Sequence, residues 1–266
     1  MRRKAYWVVS IALIFTSCSN RSKVEIKKIE HFYVSSTKAK ELFQIFTVQL
    51  GLPIVWDYQD WGGFSSGGIT LGNVVLELVE SKSDPIPANY GMALEPSQSL
   101  KKIVYPLDSA KIAHGRISRA ADWSTMSLNN LLPDNVNVFV CDYHDRDLVK
   151  MGREKAAGEL ATNHGGTLGL QFLKEIVIGT EAPGEFEDEW AKIPGIVKVG
   201  NEFHFPEGPA LKLIKSESPL FGLFIKVASV SKARQELAAL GFETRITAQG
   251  VELIDKIFVA SIMLVE

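Results

Sequence analysis

Three ionisable residues lie in β-rich stretches where their neighbours on the same face are mainly apolar. Alternate side chains of a strand share a face, so we expect Glu77 to lie beside Val75 and Val79, and His31 to lie beside Ile29 and Tyr33. By the same rule Asp142 shares its face with Val138 and Val140. Burying a carboxylate among apolar side chains is costly unless it is paired, protonated or bound to a metal ion. These residues are therefore the first candidates for chemistry.

Each of the three also has a structural explanation. His31 could be a half-buried histidine with a backbone partner, and Glu77 could pair with a lysine or arginine at the mouth of a barrel. Asp142 comes at the end of its strand, before His144, where an aspartate can form a turn. For each of the three residues, a functional role and a structural role are both consistent with the sequence.

Aromatic residues form a second candidate site. Trp56, Trp61 and Phe64 cluster beside Gly62-Gly63 and the glycine pair at 67–68. Aromatic side chains beside a flexible loop can line a ligand pocket, or they can belong to a hairpin that packs on a helix. The glycine pairs lack the spacing of a nucleotide-binding loop.

The elements that must position these residues follow an order that recurs four times. Each copy begins with an apolar β-rich run, continues with residues at helical spacing, and ends in a further strand. This alternation predicts an α+β fold. The copies begin at Ile26, Tyr90, Leu173 and Phe221.

The first copy resembles a known family. The runs that carry the resemblance are Ile29–Val34, Leu50–Pro53, Phe64–Gly68 and Leu71–Leu78. They are similar to the glyoxalase-like branch of the vicinal oxygen chelate superfamily, which includes glyoxalase I, bleomycin-resistance proteins and extradiol dioxygenases. The resemblance implies βαβββ modules that pair so that curved mixed sheets enclose a cleft, here four modules in two domains.

The resemblance also implies a metal centre in the first domain, because the family takes its metal ligands from the first and last strands of each module. His31, Glu77 and Asp142 match three of these positions, and Gly91, which cannot coordinate, stands at the fourth. Glu77 would also be the catalytic residue. Carboxylate ligands favour manganese, magnesium or ferrous iron, and zinc also accepts such a set.

The second domain lacks this set. Glu175 stands at the position of His31, and Lys212 stands at that of Glu77. A lysine ammonium repels a metal cation, so we expect this half to pack against the first, with Lys212 paired to Glu175 or facing an anionic ligand.

The N-terminus predicts export and lipid attachment. A basic start, an apolar run that is too short to span a bilayer, and small residues before Cys18 resemble the lipobox of bacterial lipoproteins. The resemblance implies lipidation of Cys18 and a body in the bacterial cell envelope, outside the cytoplasm. The predicted segments are a signal peptide (1–17), a tether (18–25), domain one (26–145), a linker (146–169) and domain two (170–266).

The net charge and the cysteine content of the chain limit the kinds of partner and cross-link that we expect. The formal net charge is -2, which gives no basic surplus for nucleic acid. Cys141 is the only cysteine besides Cys18, so the body has no internal disulfide, and its apolar surroundings predict an inert buried thiol.

Two functional hypotheses follow from the resemblance. The first is a membrane-anchored, metal-dependent lyase, isomerase or dioxygenase that acts on a small molecule with adjacent oxygens. The alternative is a non-catalytic lipoprotein that binds or sequesters a small molecule, as bleomycin-resistance proteins do.

Overall fold

A computed structural model describes residues 23–81, 90–217, 220–255, 257–258 and 260–266. The predicted signal peptide and Cys18 lie outside the described residues. No helix in the described part of the chain has the length and apolar character needed to span a membrane.

The described residues of the first half (26–81 and 90–143) form one eight-stranded sheet with two short helices. Its helices are α1 (Ala39–Gln44), which continues as a π-helical turn over Ile45–Gln49, and α2 (Leu100–Ser109). Its strands are β1 (Ile26–Ser35), β2 (Ile54–Asp60), β3 (Phe64–Thr70), β4 (Val75–Ser81), β5 (Tyr90–Pro96), β6 (Ser118–Arg119), β7 (Trp123–Leu128) and β8 (Val136–Tyr143).

The strand order shows two βαβββ modules side by side. The order across the sheet is β2-β3-β4-β1-β5-β8-β7-β6. In each module the first strand pairs in parallel with the last, as β1 does with β4 and β5 with β8. The modules join through the antiparallel pair of β1 and β5.

The second half (170–265) repeats this arrangement. Its strand order is β10-β11-β12-β9-β13-β16-β15-β14, so the predicted α+β fold of paired βαβββ modules is confirmed. Its helices are α4 (Gly184–Lys192) and α5 (Val230–Ala239). Its strands are β9 (Leu170–Thr180), β10 (Val197–Val199), β11 (Glu202–His204), β12 (Ala210–Lys215), β13 (Leu220–Val227), β14 (Thr244–Ile246), β15 (Val251–Leu253) and β16 (Ser261–Val265).

One extra residue, Glu30, interrupts the alternation of β1. Ile29 opposes Leu94 across the sheet, and the next paired residue is His31, which opposes Ala93. Such a bulge shifts the side chains before it to the other face. The prediction that Ile29 and His31 share a face was therefore wrong, and Ile29 is fully buried in the core.

A helix occupies most of the predicted linker. Helix α3 (Arg146–Thr162) begins at Asp145, whose side chain accepts a hydrogen bond from the backbone N–H of Leu148 at 3.0 Å. Ala156 and Leu160 are buried, and the helix contacts β2, β3, β8 and β9. Apart from Arg146 and Arg153, the charged residues of this helix are exposed, which explains why the sequence looked like a linker.

The two halves share an apolar core on the face of the first sheet opposite to His31. The rings of Tyr90 and Phe221 are stacked with their centres 4.2 Å apart, and Phe32 lies 6.0 Å from Phe221. The buried indole N–H of Trp190 donates to the backbone oxygen of Leu131 at 2.7 Å. Because this face of the first sheet is buried in the core, the candidate functional groups of the sheet lie on its opposite face.

Candidate functional site

A cavity of about 690 Å³ lies on the open face of the first sheet. Strands β1 to β4, β7 and β8 line it, and Val149 of α3 closes one side. Seven of the described lining residues are tyrosine, tryptophan or phenylalanine. They are Tyr33, Trp56, Trp61, Phe64, Trp123, Phe139 and Tyr143.

His31 and Glu77 meet in the wall of this cavity. Their strands run in parallel, and Nε2 of His31 lies 3.5 Å from Oε2 of Glu77. The side chains are 7% and 14% exposed, so both are largely removed from water. Burial lowers the pKa of His31 below its ordinary value, and the Glu77 carboxylate opposes this effect in part.

The other ring nitrogen of His31 contacts Glu30. Because a carboxylate only accepts hydrogen bonds, Nδ1 of His31 donates to Oε2 of Glu30. This contact fixes the tautomer, so that the Nε2 lone pair of a neutral His31 points towards Glu77 and the cavity. The bulge at Glu30 is what brings the two neighbouring side chains together.

Arg153 of α3 neutralises Glu30. The Glu30 side chain is fully buried and forms an ion pair with Arg153, which also lies over the ring of Tyr143 at 5.1 Å. The hydroxyl of Tyr143 donates to Glu30 at 3.4 Å. Burial lowers the pKa of Arg153 to about 10, which still leaves the guanidinium charged at neutral pH. No local pattern indicates this partner, because Arg153 is 123 positions from Glu30 and lies in the apparent linker.

The three aromatic residues singled out from the sequence all line the cavity. Trp61 meets Trp123 at 84°, with ring centres 6.0 Å apart, and its indole N–H donates to Oγ of Ser66 at 3.1 Å. Trp56 and Phe139 contact the ring of His31 edge-on, at 6.4 Å and 5.8 Å. That these side chains bind a ligand stays a prediction.

Two of the aromatic rings occupy space that is free because the neighbouring strand has a glycine there. A Cβ on Gly68 would lie 2.5 Å from the ring of Trp56, and a Cβ on Gly91 would lie 2.0 Å from Cε1 of Tyr33. The Tyr33 hydroxyl accepts a hydrogen bond from Asn137 at 2.7 Å. The Tyr33 ring therefore leaves no room for a side chain at Gly91.

Comparison with solved structures agrees with this architecture. No protein-family model and no curated protein sequence matches the chain. The Mn(II)-bound glyoxalase from Novosphingobium aromaticivorans aligns with a TM-score of 0.58 at 12% identity, over 91% of this chain and 83% of that one. A 2,3-dioxygenase from Pseudomonas sp. KL28 aligns with a TM-score of 0.59 at 11% identity, over 90% and 92%. The 2,2',3-trihydroxybiphenyl 1,2-dioxygenase from Sphingomonas wittichii aligns with a TM-score of 0.56 at 10% identity, over 90% of this chain and 90% of that one.

The chain has the vicinal oxygen chelate fold. Its two sheets of paired βαβββ modules correspond over about nine tenths of its length to those of the glyoxalase and the dioxygenases. At 10–12% identity the likeness concerns the fold alone.

Asp142 does not belong to the cavity of this vicinal oxygen chelate fold. Its Oδ2 accepts the backbone N–H of Leu100 at 2.7 Å, at the start of α2, and its Oδ1 accepts from Nε of Arg146 at 2.8 Å. On β8 the side chains that line the cavity are those of its neighbours Cys141 and Tyr143. Asp142 instead satisfies a helix N-terminus.

The side chains present do not fit a three-ligand metal centre. Across the described ranges, no three His, Cys, Asp or Glu side chains come together as a metal-binding group. His31 and Glu77 remain adjacent donors, but the cavity face of β8 adds Asn137 and Phe139 rather than a carboxylate. Cys141 also lies on this face, and burial raises the pKa of its thiol to about 12.

The second sheet carries a closed ion-pair cluster at the corresponding place. Lys212 lies 3.1 Å from Glu202 and 3.8 Å from Glu175. The hydrogen bond to Glu202 raises the pKa of Lys212. The expected pairing with Glu175 is present, and both carboxylates compete with any anionic ligand for this ammonium.

Proposed function

We propose that the chain binds a small, mainly apolar molecule in the cavity of the first sheet, with a polar group of that molecule directed at His31 and Glu77. The observation that carries the proposal is the aromatic wall around this buried pair. A cavity of about 690 Å³ lies within the size range of small-molecule sites, which combine apolar walls with a few polar groups.

The two polar atoms favour a hydrogen-bond donor on the ligand. With Nδ1 of His31 donating to Glu30, Nε2 and the Glu77 oxygen are both acceptors, 3.5 Å apart. Two buried acceptors, one of them a carboxylate oxygen, gain most from a group that donates to both, such as a hydroxyl or an ammonium, or from a positive charge placed beside them. The apolar part of the ligand would lie against Trp61 and Trp123.

A neutral fluorescent dye tests the proposal. We expect N-phenyl-1-naphthylamine to bind saturably, and Trp56→Leu or Trp61→Leu to weaken its affinity roughly tenfold through lost ring contacts. The matched control is Tyr105→Leu, an aromatic residue of α2 that is 78% exposed. A dye that does not bind, or that binds equally well to all variants, would contradict the proposal.

A metal-dependent enzyme is the second candidate. The observation in its favour is that Nδ1 of His31 is held by a carboxylate, as in many metal-binding histidines, while Nε2 and Glu77 face the cavity. In this candidate Glu77 would be both ligand and catalytic residue, and the reaction would be of the lyase, isomerase or dioxygenase kind.

Metal content decides between the candidates. The chain is incubated with manganese, iron, zinc or magnesium, desalted and measured by mass spectrometry beside a His31→Ala, Glu77→Gln double variant. Stoichiometric metal in the parent alone would favour the enzyme. We expect less than about a tenth of an equivalent in both, because two protein ligands hold a metal ion weakly.

We also propose that the chain is a lipoprotein of the bacterial cell envelope, anchored through Cys18. The proposal rests on the N-terminal sequence. Radiolabelled palmitate should enter the parent protein during expression in bacteria and not the Cys18→Ser variant. Equal labelling of the two proteins would reject it.

A further inference from the structure

The described residues that line the cavity include carboxylates and offer no lysine or arginine to match them. Among its described lining residues, Glu77 and Asp122 are acidic, and there is no lysine or arginine. Arg153 of α3, which lies over the ring of the lining residue Tyr143, is already bound to Glu30 and lies 4.0 Å from Glu95. A ligand that enters the cavity therefore meets negative charge.

Aromatic rings flank the buried carboxylate on both sides. Across the sheet, Trp56 pairs with Gly68, which pairs with Glu77, which in turn pairs with Tyr33. Because Gly68 has no side chain, the Trp56 ring lies over it and reaches towards Glu77. On the other side Glu77 pairs with Tyr33, whose ring leans away from Glu77 and lies over Gly91 of the next strand, so the carboxylate stands between two aromatic residues.

A second pair of rings forms a corner of the same cavity. Trp61 and Trp123 meet at 84°, so their faces form two walls at nearly a right angle. The faces of aromatic rings carry partial negative charge and attract cations, most strongly those of tryptophan. Ring faces and a carboxylate together attract a positive charge and repel an anion.

We infer that the ligand is a small organic cation, an amine or quaternary ammonium, whose charged group lies beside Glu77 between Trp56 and Tyr33. This inference rests on the proposed function and narrows it to a ligand class. Inorganic cations are disfavoured because the rings cannot replace their oxygen ligands. A neutral aromatic molecule would fill the walls and leave the carboxylate without a partner.

Three probes of similar size and different charge test the inference. Phenyltrimethylammonium is the cation, tert-butylbenzene is its neutral counterpart of the same shape, and benzoate is the anion. Each displaces N-phenyl-1-naphthylamine from the full chain, and the dissociation constants are compared. We expect the cation to bind about tenfold more tightly than tert-butylbenzene, and benzoate to be the weakest.

The Glu77→Gln variant isolates the contribution of the carboxylate. It should weaken phenyltrimethylammonium about tenfold and leave tert-butylbenzene unchanged, while dye binding shows that the cavity is intact. The matched control is Glu80→Gln on the same strand, whose carboxylate accepts a hydrogen bond from Tyr58 at 2.9 Å outside the cavity lining. Trp56→Leu should reduce the affinity for the cation more than the affinity for the neutral probe.

The outcomes separate this inference from the proposed function. If the dye binds but the neutral probe displaces it as well as the cation does, or if Glu77→Gln leaves the ratio unchanged, the ligand class is wrong and the binding site stands. If neither the dye nor any probe binds, both proposals fail.

Discussion

Arg153, on the helix between the two sheets, forms an ion pair with Glu30, the residue inserted beside His31 in β1. The Glu30 side chain is fully buried and that of Arg153 is 14% exposed. This pair connects the segment between the two sheets to the candidate site, because the carboxylate of Glu30 also holds the ring of His31.

Replacing Arg153 should destabilise the protein strongly. Arg153→Met leaves a buried carboxylate without its counter-ion, which typically costs about 3–5 kcal/mol. Urea unfolding measures the loss. The control is Lys150→Met on the same helix, whose pair with Glu154 is exposed and contributes about 0.5 kcal/mol or less. A loss below about 1 kcal/mol for Arg153→Met would mean that the ion pair does not form.

Asp142→Ala should separate a structural role from a role in the site. The variant loses the hydrogen bonds to Leu100 and Arg146, and we expect about 1–2 kcal/mol lower stability. Affinity for the neutral dye should stay within about twofold, because Asp142 does not line the cavity. If the Asp142→Ala variant loses as much dye affinity as the His31→Ala variant, Asp142 contributes to the binding site and the structural role alone is wrong.

Gly91→Ala should displace the Tyr33 ring. The added methyl group would lie 2.0 Å from Cε1 of Tyr33, and overpacking of this kind costs about 1–3 kcal/mol. Dye affinity should fall as well, because the ring forms part of the wall. The control is Gly158→Ala in α3, which meets nothing within 4 Å and should be neutral or stabilising. Equal effects of the two substitutions would contradict the packing described for Tyr33.

Cys141 should resist alkylation in the folded protein. Burial raises the pKa of this thiol to about 12, so the reactive thiolate is scarce at pH 8 and grows only as the pH approaches that value. Iodoacetamide labelling of a Cys18→Ser variant, followed by mass spectrometry, should be slow in buffer and fast in urea. Rapid labelling of the native protein would show that the strand end opens.

The periodicity of the sequence predicted the modules where strands alternate clearly and helices have apolar residues at regular spacing. Strands β1, β4, β5 and β8 lie where β-rich runs were predicted, although a bulge interrupts the alternation of β1. The aromatic residues noticed in β2 and in the turn that joins it to β3 do line the cavity. The three-residue strands β10, β11, β14 and β15 of the second half were not predicted, because they are too short to show a period.

The site was harder to predict because its details depend on single-residue shifts. An inserted residue at Glu30 leaves no mark in the sequence, yet it moves Ile29 into the core. On β8 the cavity face belongs to Phe139 and Cys141, and their alternation could have excluded Asp142. The contact of Arg153 with Glu30 joins distant segments, and no local pattern indicates it.

Fluorine NMR of protein labelled with 5-fluorotryptophan is the most direct test of the central claim, that the aromatic cavity beside His31 and Glu77 binds a small molecule. The chain has five tryptophans, and single Trp→Phe variants assign their signals. On titration with the neutral dye, the signals of Trp56, Trp61 and Trp123 should shift saturably, while that of the core residue Trp190 stays in place. Unchanged signals for the three cavity tryptophans, or a shift centred on Trp190, would contradict the account.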